Sequence, residues 1–179
     1  MRCVATTAVV FGVNKSAPVA SLTDEQVCAI YRDAIRNWKD LGGPDLAIVP
    51  LTRPESEVDA EVVRSAIGCF KELRIANSVQ IQKTARDMGN ALAATEGAVG
   101  MTTAPVVEQS NGVIKSVALN GVPPTEENVL ANRYRMTRDV FLVTKAAPGG
   151  AVQAFIDYAK SAEGAKVIKA NGAIAISRP

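Results

Sequence analysis

The sequence PLTRPESEVDAEVVRSAIG, residues 50–68, decides the fold class of this chain. An apolar run at residues 46–49 precedes it and predicts a buried strand. Pro54 then breaks the chain, and Ser56 with Asp59 three residues later predicts a capped helix start. Apolar residues at helical spacing give the helix one buried face: Val58, Val62, Val63 and Ile67. A strand, a short loop and a helix in this order are typical of an α/β protein.

The loop between this strand and helix resembles an anion site in outline. Arg53 lies in the loop, and a helix N-terminus offers free N–H groups and the positive end of the dipole. The local charges oppose an anion, because four carboxylates lie in or beside the first two turns: Glu55, Glu57, Asp59 and Glu61. Three interpretations stay open, namely a capped surface helix, an anion pocket, and a pocket for a neutral or cationic ligand.

Length and composition indicate a globular α/β protein without a strong electrostatic partner. The chain has 179 residues, enough for one domain or two small lobes. Hydrophobic residues make up 47%, charged residues 21%, and the net charge is +2. The basic residues are scattered along the chain, so no nucleic-acid partner is expected.

Histidine is absent from the sequence, which removes the commonest general base and metal ligand. No motif places a nucleophile beside a base, so we expect no enzyme activity, no metal and no cofactor. The three cysteines, Cys3, Cys28 and Cys69, lack the spacing of a metal site. One pair could still form, but the apolar surroundings of Cys28 and Cys69 favour small buried thiols.

The rest of the chain alternates between strand and helix patterns. The N-terminal segment lacks the features of a signal peptide and predicts a strand, and no apolar stretch is long enough to span a membrane. A capping box at Thr23–Gln26 starts the first helix, and glycines follow the turn that holds Trp38. Further strands are predicted at residues 4–13, 78–82, 98–102, 113–119, 139–144 and 173–176. Further helices are predicted at residues 84–95, from 125, at 151–160 and at 165–170. The expected class is α/β with a mixed sheet.

Several blocks together resemble the phosphate-binding proteins of ABC importers. They are Ser21–Gln26, Ala29–Tyr31, Ile35–Gly43, Leu119–Thr125 with Tyr134, and Phe155–Tyr158 followed by Ser161–Gly164, with Gly172. The resemblance implies the periplasmic-binding-protein-like II fold, with two α/β lobes, a hinge of crossing strands and a ligand in the cleft. It also implies a periplasmic or extracytoplasmic location, phosphate or another small solute as ligand, and the membrane components of an importer as partners.

Two departures from the family pattern limit what the resemblance implies. The family chain has most of one lobe before the segment that matches residues 4–13, so residues 1–179 are expected to form one lobe with hinge strands and C-terminal helices, a single truncated domain. The family motif is an arginine followed by a Ser-Gly-Thr helix start. Arg53 and Ser56 match it, whereas Glu57 replaces the glycine and Val58 the threonine. The candidate ligand-binding residues are therefore Arg53, Ser56 and Glu57, with phosphate binding expected to be weak or lost.

The alternative function is a degenerate module for self-association or partner contact, with no small ligand. Without the second lobe, three segments are expected to be partly uncovered: residues 4–11, residues 139–144, and the apolar face of residues 151–168 (Val152, Phe155, Ile156, Val167 and Ile168). Uncovered apolar surface of this kind predicts a homodimer. The competing arrangement is a monomer whose C-terminal helices fold back over its own sheet.

Overall fold

The computed structural model describes residues 2–145 and 147–176, and this part of the chain forms nine strands and seven α-helices. The strands are β1 (Arg2–Asn14), β2 (Ser21–Leu22), β3 (Val49–Thr52), β4 (Gln80–Ile81), β5 (Ala98–Thr103), β6 (Ile114–Ser116), β7 (Ala118–Leu119), β8 (Thr137–Leu142) and β9 (Ile174–Ala175). The helices are α1 (Asp24–Tyr31), α2 (Val58–Ala66), α3 (Ala85–Ala94), α4 (Ala104–Gln109), α5 (Glu126–Leu130), α6 (Gly150–Lys160) and α7 (Ala162–Ala170). The expected α/β class with a mixed sheet is confirmed.

Strand β1 is the central strand of the main sheet because it pairs with four other strands: β5, β6, β8 and β9. Its C-terminal half is antiparallel to β5, from Val9 opposite Thr103 to Val13 opposite Val99, and β6 lies on its other side. Its N-terminal half is antiparallel to β8 and β9. One long strand therefore connects two regions of the sheet, as expected for a strand that crosses between lobes.

The region that carries the candidate site is a parallel sheet edge. Strand β3 pairs parallel with β5 on one side and with β4 on the other, which gives the order β4-β3-β5-β1-β6. Helices α2 and α3 connect these strands. The carboxyl end of β3 therefore meets the N-terminus of α2, the place where α/β proteins commonly bind ligands.

The core below this sheet is mainly aliphatic with a few aromatic anchors. Trp38 is fully buried and donates from Nε1 to the carbonyl oxygen of Gly97 at 2.9 Å. The Tyr31 hydroxyl donates to the carbonyl oxygen of Leu51 at 2.7 Å, and its ring lies 5.1 Å from that of Phe70. Each buried polar tip is thus paired, as burial requires.

Local sequence patterns predicted most of the helices and strands, but some of the predicted bounds were wrong. The capping box of α1 is present, with Thr23 accepting from the Gln26 amide and Gln26 accepting from the Thr23 amide. The strand expected at residues 46–49 lies instead at 49–52, and the strand expected at 113–119 is divided into β6 and β7. Helix α4 was not predicted, although a proline lies in its first turn, where helices tolerate one.

The cysteines correct the prediction of buried thiols. Cys28 and Cys69 form a disulfide that joins α1 to the short 3-10 helix at Gly68–Phe70. Cys28 is fully buried, whereas Cys69 is exposed. Cys3 is a half-buried free thiol.

In the described part of the chain, the helices are too short to cross a bilayer, and each lacks a sufficiently long apolar stretch.

Candidate functional site

The candidate site lies where β3 ends and α2 begins. Arg53 directly follows β3 and is only 5% exposed, because the chain after β4 closes over it. Its Nη1 donates to the carbonyl oxygen of Gln82 at 2.9 Å. The Gln82 amide in turn donates to the Thr52 carbonyl at 2.8 Å, so the parallel strand pairing fixes both partners.

The second guanidinium nitrogen of Arg53 binds an internal carboxylate. Nη2 donates to Oε2 of Glu57 at 2.8 Å, an ion pair between a buried arginine and a side chain that is 43% exposed. The spacing of four residues, across the turn that Pro54 starts, brings the two side chains together. Arg53 therefore already holds an anion supplied by the protein itself.

The start of α2 differs from the expected cap. Glu57, not Ser56, is the N-cap residue, and its side chain makes no cap hydrogen bond, because the carboxylate is turned toward Arg53. Ser56 is exposed, and its hydroxyl has no hydrogen bond within the described residues. Val58 is 46% exposed and does not belong to the buried face formed by Val63 and Ile67. The prediction of a capped helix start formed by Ser56 with Asp59 is wrong.

A second buried charge lies one turn into α2. Asp59 is 4% exposed, and its Oδ1 lies 3.2 Å from Nη1 of Arg138 on β8. This pair ties α2 to the strand that runs beside the N-terminal half of β1. Within residues 2–145 and 147–176, three polar atoms of this cluster lack a hydrogen-bond partner: Arg53 Nε, Asp59 Oδ1 and Arg138 Nε.

Burial raises the pKa of the Asp59 carboxyl above its ordinary value. The positive charges of Arg138 and Arg53 oppose this shift, and the negative charge of Glu57 adds to it. The folded chain therefore holds a proton on Asp59 more tightly than the unfolded chain does. This contribution to stability is present at acid pH and is lost as the pH rises through the folded-state pKa.

We expect Asp59→Asn to remove this pH dependence. The free energy of unfolding of the wild type, relative to Asp59→Asn, should fall as the pH rises from about 4 toward neutrality. Urea unfolding at a series of pH values measures the difference. Glu61→Gln, which changes an exposed carboxylate on the same helix, is the matched control and should leave the slope unchanged. A wild-type slope that Asp59→Asn does not alter would contradict the assignment.

A groove of about 570 Å³ lies between α2 and the start of β8. Its lining includes Val58, Val62, Arg135 and Thr137, but none of the three predicted ligand-binding residues. Arg135 is held by Asp24 at 2.9 Å, so its charge is already compensated. The structure thus brings Arg53 and Glu57 together and leaves Ser56 apart on the surface.

The sequence did not identify three residues of this cluster: Asp59 as a buried charge, Arg138 and Gln82. An aspartate in the first turn of a helix is usually a surface residue that complements the dipole. Arg138 contacts Asp59 although the two residues are 79 positions apart in the sequence (138 − 59 = 79). A single sequence carries no signal for a contact of that range.

Comparison with known proteins identifies the family. The sequence pattern described as "PBP superfamily domain" matches residues 2–163. A phosphate-binding protein PstS of Bacillus subtilis is 26% identical over 153 residues, which is 83% of this chain and 48% of the relative. The PstS of Borreliella burgdorferi is 24% identical over 179 residues, covering 94% of this chain and 63% of the relative. The chain thus spans about half to somewhat under two thirds of these curated relatives.

Solved structures give the same result for the fold. The crystal structure of a phosphate ABC transporter substrate-binding protein from Clostridium perfringens, solved with bound phosphate, matches this chain with a TM-score of 0.81 at 27% identity. The match covers 96% of this chain and 70% of the Clostridium perfringens chain. An ABC-type phosphate transport receptor from Vibrio cholerae gives a TM-score of 0.68 at 27% identity, with coverages of 95% and 70%. The chain therefore belongs to the PBP superfamily and is related, within it, to the phosphate-binding proteins of ABC importers.

Proposed function

We propose that this chain is a non-enzymatic solute-binding module of the phosphate-importer type in which phosphate binding is weak or lost. The observation that carries the proposal is the ion pair between Arg53 and Glu57 at 2.8 Å. The arginine that matches the family motif already binds a carboxylate of its own chain. The module spans residues 1–179 as a single PBP-like domain.

The two departures from the family motif, Glu57 and Val58, both weaken the binding of an anion. Glu57 places a negative charge where an incoming anion would approach Arg53, and Val58 has no hydroxyl to donate. A hydrogen bond to a charged group contributes roughly 1.5–3 kcal/mol. A dissociation constant of 1 mM corresponds to only about −4 kcal/mol, so losing two such donors moves a tight site into the millimolar range.

We expect the wild type to bind phosphate with a dissociation constant above about 1 mM in calorimetry. The double variant Glu57→Gly with Val58→Thr should bind at least about tenfold more tightly, because it frees Arg53 and restores a hydroxyl donor. Glu55→Gln is the matched control: it removes a neighbouring negative charge that pairs with Arg64 rather than with Arg53, and should change affinity little. Micromolar binding by the wild type would refute the proposal.

The second candidate function is self-association or partner contact without a small ligand, and we propose a homodimer. The observation in its favour is the concentration of exposed apolar side chains near the C-terminus. Of the ten large apolar side chains exposed in the described chain, seven lie within residues 140–167. Surface of this kind is uncommon on a monomer unless it is an interaction site.

We propose an extracytoplasmic location and the membrane components of an importer as partners. The named relatives are binding proteins of phosphate transport, which supports the proposal that importer membrane components are the partners. The Cys28–Cys69 disulfide supports the location independently, because disulfides persist in oxidising compartments and are rare in the cytosol. Fusion of a secretion-dependent reporter to the full gene product would test the location.

A further inference from the structure

The sequence contains three asparagines that are each followed by glycine: Asn111, Asn120 and Asn171. Asparagine is a chemically labile residue, because the backbone nitrogen of the next residue can attack its side-chain amide carbon. A glycine in the next position has no side chain to obstruct that approach. All three asparagines are exposed, so water reaches each of them. The same local chemistry is therefore open to all three pairs, and the fold decides which of them reacts.

Two of the pairs have nearly the same backbone conformation. Asn111 and Asn120 both have φ of 51°, and the glycines that follow, Gly112 and Gly121, have φ of 84° and 77°. Neither exposure nor the φ angle separates these two pairs. Their hydrogen bonds do.

Both reacting groups of the second pair are held in place. The Asn120 side chain donates from Nδ2 to Oδ1 of Asp24 at 2.8 Å, and its Oδ1 accepts from the Asp24 amide at 3.1 Å. The amide nitrogen of Gly121 donates to the Ser21 hydroxyl at 3.0 Å. Attack of the Gly121 nitrogen on the Asn120 side chain would have to disturb these three hydrogen bonds.

The third pair is held by the last turn of α7. Nδ2 of Asn171 donates to the carbonyl oxygen of Val167 at 2.9 Å. The amide nitrogen of Gly172 donates to the carbonyl oxygen of Lys169 at 3.0 Å. The electrophile and the nucleophile are again both restrained.

The first pair lacks these restraints. Within residues 2–145 and 147–176, neither the Asn111 side chain nor the Gly112 amide nitrogen makes a hydrogen bond. The bond that closes this turn runs past the pair, from the Val113 amide to the carbonyl oxygen of Ser110 at 3.2 Å. The two groups can therefore meet without the loss of a hydrogen bond of their own.

We propose that Asn111 is a site of spontaneous deamidation and that the fold protects Asn120 and Asn171. The Gly112 nitrogen loses its proton to solvent and forms a bond to Cγ of Asn111, after which the Cγ–Nδ2 bond breaks and ammonia leaves. Water then opens the resulting succinimide ring to aspartate or isoaspartate. The net reaction consumes one water and releases one ammonia, with no oxidation or reduction. The acidic residues rise from 18 to 19 against 20 basic residues, so the net charge changes from +2 to +1.

The modification site is remote from the candidate anion site. Asn111 lies in the turn between α4 and β6, and β6 is at the end of the strand order β4-β3-β5-β1-β6. Arg53 follows β3, on the other side of β1. Deamidation at Asn111 is therefore independent of the proposed function and of its phosphate titration.

Peptide mapping by mass spectrometry tests the proposal on the folded, full-length wild type. The protein is incubated at mildly alkaline pH and digested with trypsin, which cuts at Lys115 and Lys169 and so places the three asparagines on separate peptides. Asn111 should deamidate at least about tenfold faster than Asn120 or Asn171, because only the latter two must first lose hydrogen bonds. In guanidinium chloride the three rates should become similar. An Asn111 that reacts no faster than Asn120 in the folded protein would overturn the proposal.

A variant tests whether the contacts with Asp24 are the cause of the protection. Asp24→Ala removes the acceptor of the Asn120 side chain, so deamidation at Asn120 should accelerate while the rate at Asn111 stays the same. Circular dichroism checks that the variant is folded. An unchanged rate at Asn120 would overturn the protective role of these contacts. A rate order among the three sites that persists in guanidinium chloride would assign the difference to local sequence and overturn the role of the fold.

Discussion

Replacing Trp38 by alanine should lower the free energy of unfolding by about 3–5 kcal/mol. Trp38 has no solvent exposure, and its removal leaves a large cavity beside the left-handed turn at Gly42. It also leaves the carbonyl oxygen of Gly97 without the donor that now lies 2.9 Å away. Both losses act next to the start of β5, which pairs with β3 in the sheet that positions the candidate site.

Urea unfolding followed by far-UV circular dichroism measures this effect, since the only tryptophan is lost in the variant. Trp38→Phe separates the two causes, because it keeps much of the ring volume but leaves the carbonyl unpaired. Its expected cost is about 1–3 kcal/mol. Leu130→Ala, at an exposed position, is the control and should stay within about 0.5 kcal/mol. A Trp38→Ala cost near that of the control would contradict the packing assigned to this residue.

Trp38 also shows which parts of the fold follow from sequence. Its turn was predicted because the signal is local: a glycine at 42 adopts φ of +79°, a conformation that few other residues tolerate. The capping box at Thr23 is local in the same way. Strand β3 was placed three residues too early because residues 46–52 are almost continuously apolar, and only pairing with β4 and β5 sets its bounds.

The sequence identified two residues of the candidate site but not the contact between them. The residues Arg53 and Glu57 came from the family motif and its departures. Their ion pair depends on the direction of one side chain, which a single sequence does not determine. Helix-start statistics favoured Ser56 as the cap, but the contact with a buried guanidinium outweighs a cap hydrogen bond of about 1 kcal/mol. The ion pair with Arg53 therefore overrides the preference of Ser56 for the cap position.

The pairing of the cysteines was likewise not determined by the sequence alone. Its removal is the second change for which we expect a large loss of stability. Removing the Cys28–Cys69 disulfide, through Cys28→Ala with Cys69→Ala, should lower the free energy of unfolding by about 2–4 kcal/mol. The two cysteines are separated by 41 residues, and closing a loop of that size restricts the unfolded chain strongly. The loop contains β3, Arg53 and α2, so the crosslink encloses the candidate site.

Melting with and without reductant tests this assignment in the wild-type protein. Reductant should lower the melting temperature by roughly 5–15 °C, and it should not affect the double variant. Cys3→Ser is the matched control and should respond as the wild type does, because Cys3 lies outside the crosslink. Thiol titration of the unfolded, unreduced protein should find one reactive thiol rather than three. Three thiols in protein purified from an oxidising compartment would remove both the crosslink and its support for an extracytoplasmic location.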